Sequence, residues 1–126
     1  MKRQIVATDA APKAVGPYSQ AVWAGDMLFC AGQIPLDPAT GNMVTGGIAE
    51  QATRVLENIQ GLLKSQGLDF GNVVKATVFL SDMNNFSAMN EVYAKYFTKE
   101  PPARSTVQVA RLPKDALVEI EVVAAR

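Results

Sequence analysis

The sequence predicts an α+β fold in which one mixed sheet carries two helices on a single face, with elements in the order β-β-α-β-α-β-β. Three observations lead there. From Ile48 to Gln66 the apolar residues Ile48, Ala52, Val55, Ile59 and Leu62 recur at i, i+4, i+7, i+11 and i+14, one stripe of a helix. From Val73 to Leu80 the chain is a nearly continuous β-type run, interrupted by Lys75 and Thr77, as suits a central strand. Each helical pattern stands between β-type runs, so right-handed crossovers put both helices on the same side of the sheet. A length of 126 residues with 48% hydrophobic content suits one domain, residues 1–126, with a substantial core and no room for a second. No repeat, low-complexity segment or linker divides it.

Taken in order, G-P-Y-S-Q-A-V at Gly16 to Val22 enters a first strand that continues through Trp23. Gly25-Asp26 marks a turn, and Met27 to Cys30 is a second apolar run, so the pair reads as a hairpin. The run leads into A-G-Q-I-P at Ala31 to Pro35, where Gly32 lets another group approach the backbone closely. Asp37-Pro38-Ala39-Thr40-Gly41 is a turn, Gly46-Gly47 brings the chain to the first helix, and Gly67 is placed to stop it. Asp82 is placed to cap the second helix, in which Phe86, Met89, Tyr93 and Tyr96 repeat at i, i+3, i+7 and i+10 before Pro101-Pro102. Asn90 stands on or beside that buried stripe, where an amide needs a partner. It is either a paired core amide or part of a site.

The last segment carries the candidate chemistry. Ser105 to Ala110 and Leu117 to Ala124 flank the turn cluster Pro113-Lys114-Asp115, which predicts a second hairpin. In its second strand, period-2 alternation puts Val118, Ile120, Val122 and Ala124 on one face and Leu117, Glu119, Glu121 and Val123 on the other. Arg104 sits just before the first strand. A guanidinium near two carboxylates is either an ordinary surface ion pair or a site for a small charged molecule. Because Val73–Leu80 is apolar on both sides and Leu117 and Val123 share the carboxylate face, a second copy of the chain is expected to cover that face. A homo-oligomer with sites near its interfaces follows.

Composition removes several classes of function. Lys plus Arg number 12 and Asp plus Glu 12, so a net charge of +0 gives no field to recruit nucleic acid or an anionic membrane. No apolar run reaches the length of a membrane span, and the opening M-K-R-Q-I-V-A-T-D-A-A-P lacks the apolar stretch of a secretory signal. A cytoplasmic protein is expected. The single cysteine, Cys30, excludes an intramolecular disulfide and fits a reducing compartment. With 0 histidines, Ser-His-Asp and Cys-His nucleophilic sites cannot be assembled within one chain, and zinc sites of the His or Cys type are out as well. Neither G-x-G-x-x-G nor G-x-x-x-x-G-K-[ST] occurs, so no nucleotide cofactor is signalled. Acid–base work falls to Glu, Asp, Lys, Tyr and Cys.

Four stretches carry a resemblance to a known family. They are G-P-Y-S-Q-A at Gly16 to Ala21, A-G-Q-I-P at Ala31 to Pro35, V-V-K-A-T-V-F-L at Val73 to Leu80, and P-A-R-S-T-V-Q-V-A-R-L-P-K-D at Pro102 to Asp115, followed by V-E-I-E. Spread over nearly the whole chain, they resemble the Rid (reactive intermediate deaminase) family, most closely its RidA type. The resemblance implies a chorismate-mutase-like fold, a homotrimer around a central barrel with three clefts between subunits, and no cofactor or metal. It implies hydrolysis of enamine and imine intermediates such as 2-iminobutanoate and 2-iminopropanoate to the 2-oxo acid and ammonia. These intermediates are released by pyridoxal-phosphate enzymes.

By the same resemblance Arg104 holds the substrate carboxylate, and the planar fork is the reason for Arg over Lys. Glu119 matches the carboxylate near the attacking water, Tyr18 a tyrosine at the cleft, and Asn90 a helix-borne amide. Gly32 and Thr106 match positions that offer backbone groups to the ligand. Where relatives often carry Ser this chain has Ala31, and where many carry Cys it has Thr106, so a side-chain hydroxyl at position 31 has no role here. Two further readings compete with the deaminase. One is a regulatory trimer that senses 2-oxo or amino acids without turnover. The other is a ribonuclease or translation inhibitor, against which the neutral charge and absent histidine speak.

Overall fold

The computed structural model describes residues 2–126. Its elements are β1 (Arg3–Val6), β2 (Ala21–Ala24), β3 (Met27–Cys30), α1 (Ile48–Ser65), β4 (Val73–Leu80), α2 (Phe86–Tyr96), β5 (Ala103–Gln108) and β6 (Val118–Ala125). One mixed sheet of six strands runs in the order β1-β2-β3-β6-β4-β5, and both helices pack on one of its faces. The α+β class, both helices, the β2–β3 hairpin and the central strand β4 are as the sequence predicts.

Two expectations are corrected. The order begins with a strand that the pattern missed, since Arg3-Gln4-Ile5-Val6 is short, half polar and mostly exposed. It forms by pairing with β2, Arg3 against Ala24 and Val6 against Ala21, so its partner rather than its own apolar content defines it. The predicted terminal hairpin is absent as well. β5 lies parallel to β4, while β6 is antiparallel to both β3 and β4 and sits between them. A parallel pair needs a crossover, and α2 supplies it between β4 and β5. The Pro113–Asp115 cluster is a single 3-10 turn with left-handed Lys114 and Asp115 (φ 55° each). It redirects the chain to the far side of β4 instead of closing β5 onto β6.

The helix signals have local causes. Gly47 begins α1, where Glu50 Oε1 accepts its N–H at 2.7 Å, and Gly67 (φ 73°) ends it, with the Leu68 N–H donating to Leu63 at 2.9 Å. Asp82 caps the 3-10 turn at Met83–Asn85 through the Asn84 N–H, and α2 starts one turn later than its cap signal suggests. The stripe Ala52, Val55, Ile59 and Leu62 is wholly buried. It meets Met89 and Tyr93 of α2 and the inward residues Ala76, Val78, Val118, Ile120 and Val122 of the sheet. Among the described residues no helical layer covers the opposite sheet face, and there Phe29 is 49% and Val107 44% exposed. No helix among the described residues is long and apolar enough to cross a membrane.

Candidate active site

Gly32 and Glu119 define the first half of the site. The chain from Ala31 to Leu36 leaves β3 and is tied down from three sides. Ala31 N–H donates to the Gln20 carbonyl at 2.9 Å, and Gln33 exchanges backbone bonds with Ile120 at 2.9 and 3.2 Å. Asn58 of α1, fully buried, donates Nδ2 to the Leu36 carbonyl at 2.9 Å. Against this fixed backbone lies Glu119. A Cβ at position 32 would stand 2.9 Å from Glu119 Cδ and 3.2 Å from Cγ, and nearer still to Oε2. The close approach expected at Gly32 is therefore the approach of Glu119. Burial pushes the Glu119 carboxyl above the ordinary glutamate range, and the charge of Glu121 on the same face raises it further.

A pocket of about 450 Å³ opens beside this pair, lined by Tyr18, Ala31, Gly32, Ile34, Lys114 and Glu119 among others. Tyr18 is 53% exposed, and its hydroxyl accepts the Val15 N–H at 3.4 Å. Gln20, buried, holds the N-terminal loop in place. Its Oε1 accepts from Thr8 N–H at 2.7 Å, and its Nε2 donates to the carbonyls of Thr8 and Pro12 at 2.9 and 2.8 Å. Sequence reasoning missed Gln20 and Asn58. The one available signal was a polar side chain set directly before an apolar strand or inside an apolar helical stripe.

The second half lies around Arg104. Its guanidinium carbon is 4.7 Å from the Tyr93 ring centroid and 5.7 Å from that of Phe86, both on α2. None of the ion pairs among the described residues involves it. Asn90 Oδ1, Tyr93 OH and Thr106 Oγ1 are buried without a hydrogen-bond partner. An unpaired buried polar atom costs about 1 to 3 kcal/mol, so these three atoms, on α2 and β5, each call for a further partner. The Asn90 amide oxygen thus lacks a core partner within the protomer. β5 is the last strand of the sheet, which leaves the outward backbone groups around Thr106 without a strand partner.

The two halves face opposite ways. Arg104 stands opposite Ala76, which stands opposite Val122, and this row points under the helices. Glu119 stands opposite Phe79, which stands opposite Val107, on the open face. The structure brings together Tyr18, Gly32 and Glu119 in one place and Asn90, Arg104 and Thr106 in another. The reading of Arg104 and Glu119 as neighbours within one hairpin falls with that hairpin.

A six-stranded sheet with two helices on one face and a glutamate poised over a glycine backbone defines an α+β protein with a cleft at its open sheet face. Residues 8–126 match the family described as Endoribonuclease L-PSP. A RutC family protein of Pyrococcus horikoshii is 54% identical over 122 residues, 97% of each chain. The 2-iminobutanoate/2-iminopropanoate deaminase of Bos taurus is 52% identical over 122 residues, 97% of this chain and 89% of that protein. In structure, a protein of the conserved Rid family from Yersinia pestis superposes with a TM-score of 0.95 at 46% identity, covering 99% of this chain and 100% of that one. The chain belongs to this family, the Endoribonuclease L-PSP or Rid family.

Proposed function

We propose that the protein hydrolyses reactive enamine and imine intermediates, 2-iminobutanoate and 2-iminopropanoate among them, to 2-oxo acids and ammonia without a cofactor. The observation that carries the proposal is Glu119, half-buried against Gly32 with its carboxyl held above the ordinary range. A carboxylate with a raised pKa is suited to take a proton near neutral pH and return it. Water oxygen adds to C2 of the imine as Glu119 accepts its proton. That proton passes to nitrogen to give a carbinolamine. Glu119 then carries the proton of the new hydroxyl to the amino nitrogen as the C=O forms and the C–N bond breaks, so that ammonia leaves the 2-oxo acid behind. The substrate carboxylate pairs with the Arg104 fork, whose guanidinium carbon lies over the Tyr93 and Phe86 rings. Positioning plus acid–base help of roughly 10² to 10⁴-fold is enough for an electrophile as reactive as an imine.

Since Arg104 and Glu119 lie on opposite sheet faces, the complete site needs two copies of the chain. The assembly we propose is a homotrimer in which the open sheet faces meet and the free β5 edge of one subunit, bringing Asn90, Arg104 and Thr106, borders Tyr18, Gly32 and Glu119 of the next. The exposed apolar residues Phe29 and Val107 on that face support burial by a second copy. The ribonuclease reading is weaker, because net charge is +0 and histidine is absent. The sensor reading keeps one support: a guanidinium that lies over an aromatic ring and forms no ion pair binds a carboxylate with or without turnover.

Mixing variants tests the proposal. Arg104→Ala and Glu119→Gln should each be inactive alone on 2-iminobutanoate generated in place by a threonine dehydratase. Dissociated and reassembled together, they should regain about a quarter of wild-type activity, because random mixing gives one interface in four both intact groups. No recovery from well-mixed oligomers would refute a shared site. A wild type that adds nothing to spontaneous hydrolysis, yet binds 2-oxobutanoate through Arg104, would leave the sensor.

A further inference from the structure

We infer that Tyr93 is a positioning residue for Arg104: its ring supports the guanidinium, and its hydroxyl accepts a rear N–H of that group when the fork engages a carboxylate. The inference rests on the proposed carboxylate-binding role of Arg104. Tyr93 is only 6% exposed, stacks on Phe97 with centroids 4.4 Å apart, and carries the guanidinium carbon 4.7 Å from its own centroid. Its hydroxyl has no partner in the free protomer. Burial raises the phenol pKa, while the neighbouring Arg104 pulls it down by charge and by a contact that falls short of a full hydrogen bond. The two groups are therefore close enough to couple and are not yet joined.

Arginine has five N–H donors, and a bidentate carboxylate uses two. The rest must be satisfied by the protein once the cleft is dry. Beside Arg104 lie three buried oxygens without partners, on Asn90, Tyr93 and Thr106. Tyr93 is the one whose ring the guanidinium already rests on. A fork already seated against a rigid ring needs little ordering on binding, so the residue acts on affinity through Arg104 without touching the substrate.

The test is a double-mutant cycle read as the dissociation constant of 2-oxobutanoate, using Tyr93→Phe, Arg104→Lys and the double variant. Tyr93→Phe keeps the ring and the packing, should melt at or above the wild-type temperature because an unpaired buried hydroxyl is removed, and should weaken binding by about 5- to 30-fold. In the Arg104→Lys background the same change should have almost no effect, because the rear donors of the fork are gone. Tyr93→Leu should cost more than Tyr93→Phe and should move the side-chain Nε–H resonance of Arg104 in the ligand-free protein, as the ring current is lost. Equal effects of Tyr93→Phe in both backgrounds, or binding unchanged from wild type, would overturn the inference while leaving Arg104 as the anchor. An Arg104→Ala variant that binds as well as wild type would overturn the underlying reading instead.

Discussion

Replacing Gly32 by alanine should separate stability from activity more sharply than any other single change. The added Cβ would lie 2.9 Å from Glu119 Cδ, whereas ordinary contact begins near 3.4 Å. The carboxyl carbon must therefore move by at least about 0.5 Å, and Oε2 by more than an ångström. Gly32 does not need a left-handed backbone, so alanine brings no strain of its own. The obstacle is the free end of a side chain that can swing toward the open pocket, so the destabilisation should stay below about 1 kcal/mol, at or under the low end for overpacking. Catalysis has no such tolerance, because displacement of a catalytic group by this much costs about 10²-fold. The assay pairs a melting curve with kcat/KM for 2-iminobutanoate formed in place. A Gly32→Ala protein with normal stability and wild-type turnover would refute the reasoning. Glu119 would then work equally well from a displaced position or would not be the base.

The other expectations bear on each half of the site in turn. Arg104→Lys keeps the charge and loses the planar fork, so it should lose most activity, whereas an exposed structural ion pair would tolerate the change at about 0 to 1 kcal/mol. Kinetics at matched thermal stability decide between these. Asn90→Ala removes a buried oxygen that has no partner, so the melting temperature should hold while activity falls. A large drop in melting temperature with full activity would instead assign Asn90 to the core. Glu119 has a pKa raised by burial and by Glu121, so its contribution to stability is complete below the unfolded-state pKa and is lost as pH rises through the folded-state value. Urea midpoints between about pH 4 and 7 should therefore fall less with rising pH in Glu119→Gln than in wild type. The acid limb of kcat/KM in wild type should lie above the usual carboxylate range, and an ordinary limb would remove Glu119 as base.

Local periodicity and turn chemistry determined much of this protein from sequence alone. The stripe on α1, the run of β4, the β2–β3 turn at Gly25 and the inward set Val118, Ile120, Val122 and Ala124 all depend on neighbours within a few residues. The close approach at Gly32 was legible for the same reason, although the group that approaches was not. Strand partners depend on contacts far along the chain, and these only the tertiary structure decided. β1 exists because β2 offers it an edge, and β6 inserts between β3 and β4 although β5 is nearer in sequence. Asn90 looked from sequence like either a core amide or a site group, and only the packed structure leaves its oxygen without a partner. The same packing sends Arg104 under the helices and Glu119 to the open face, a separation that no residue pattern within one segment encodes, because it follows from which strand each is laid against.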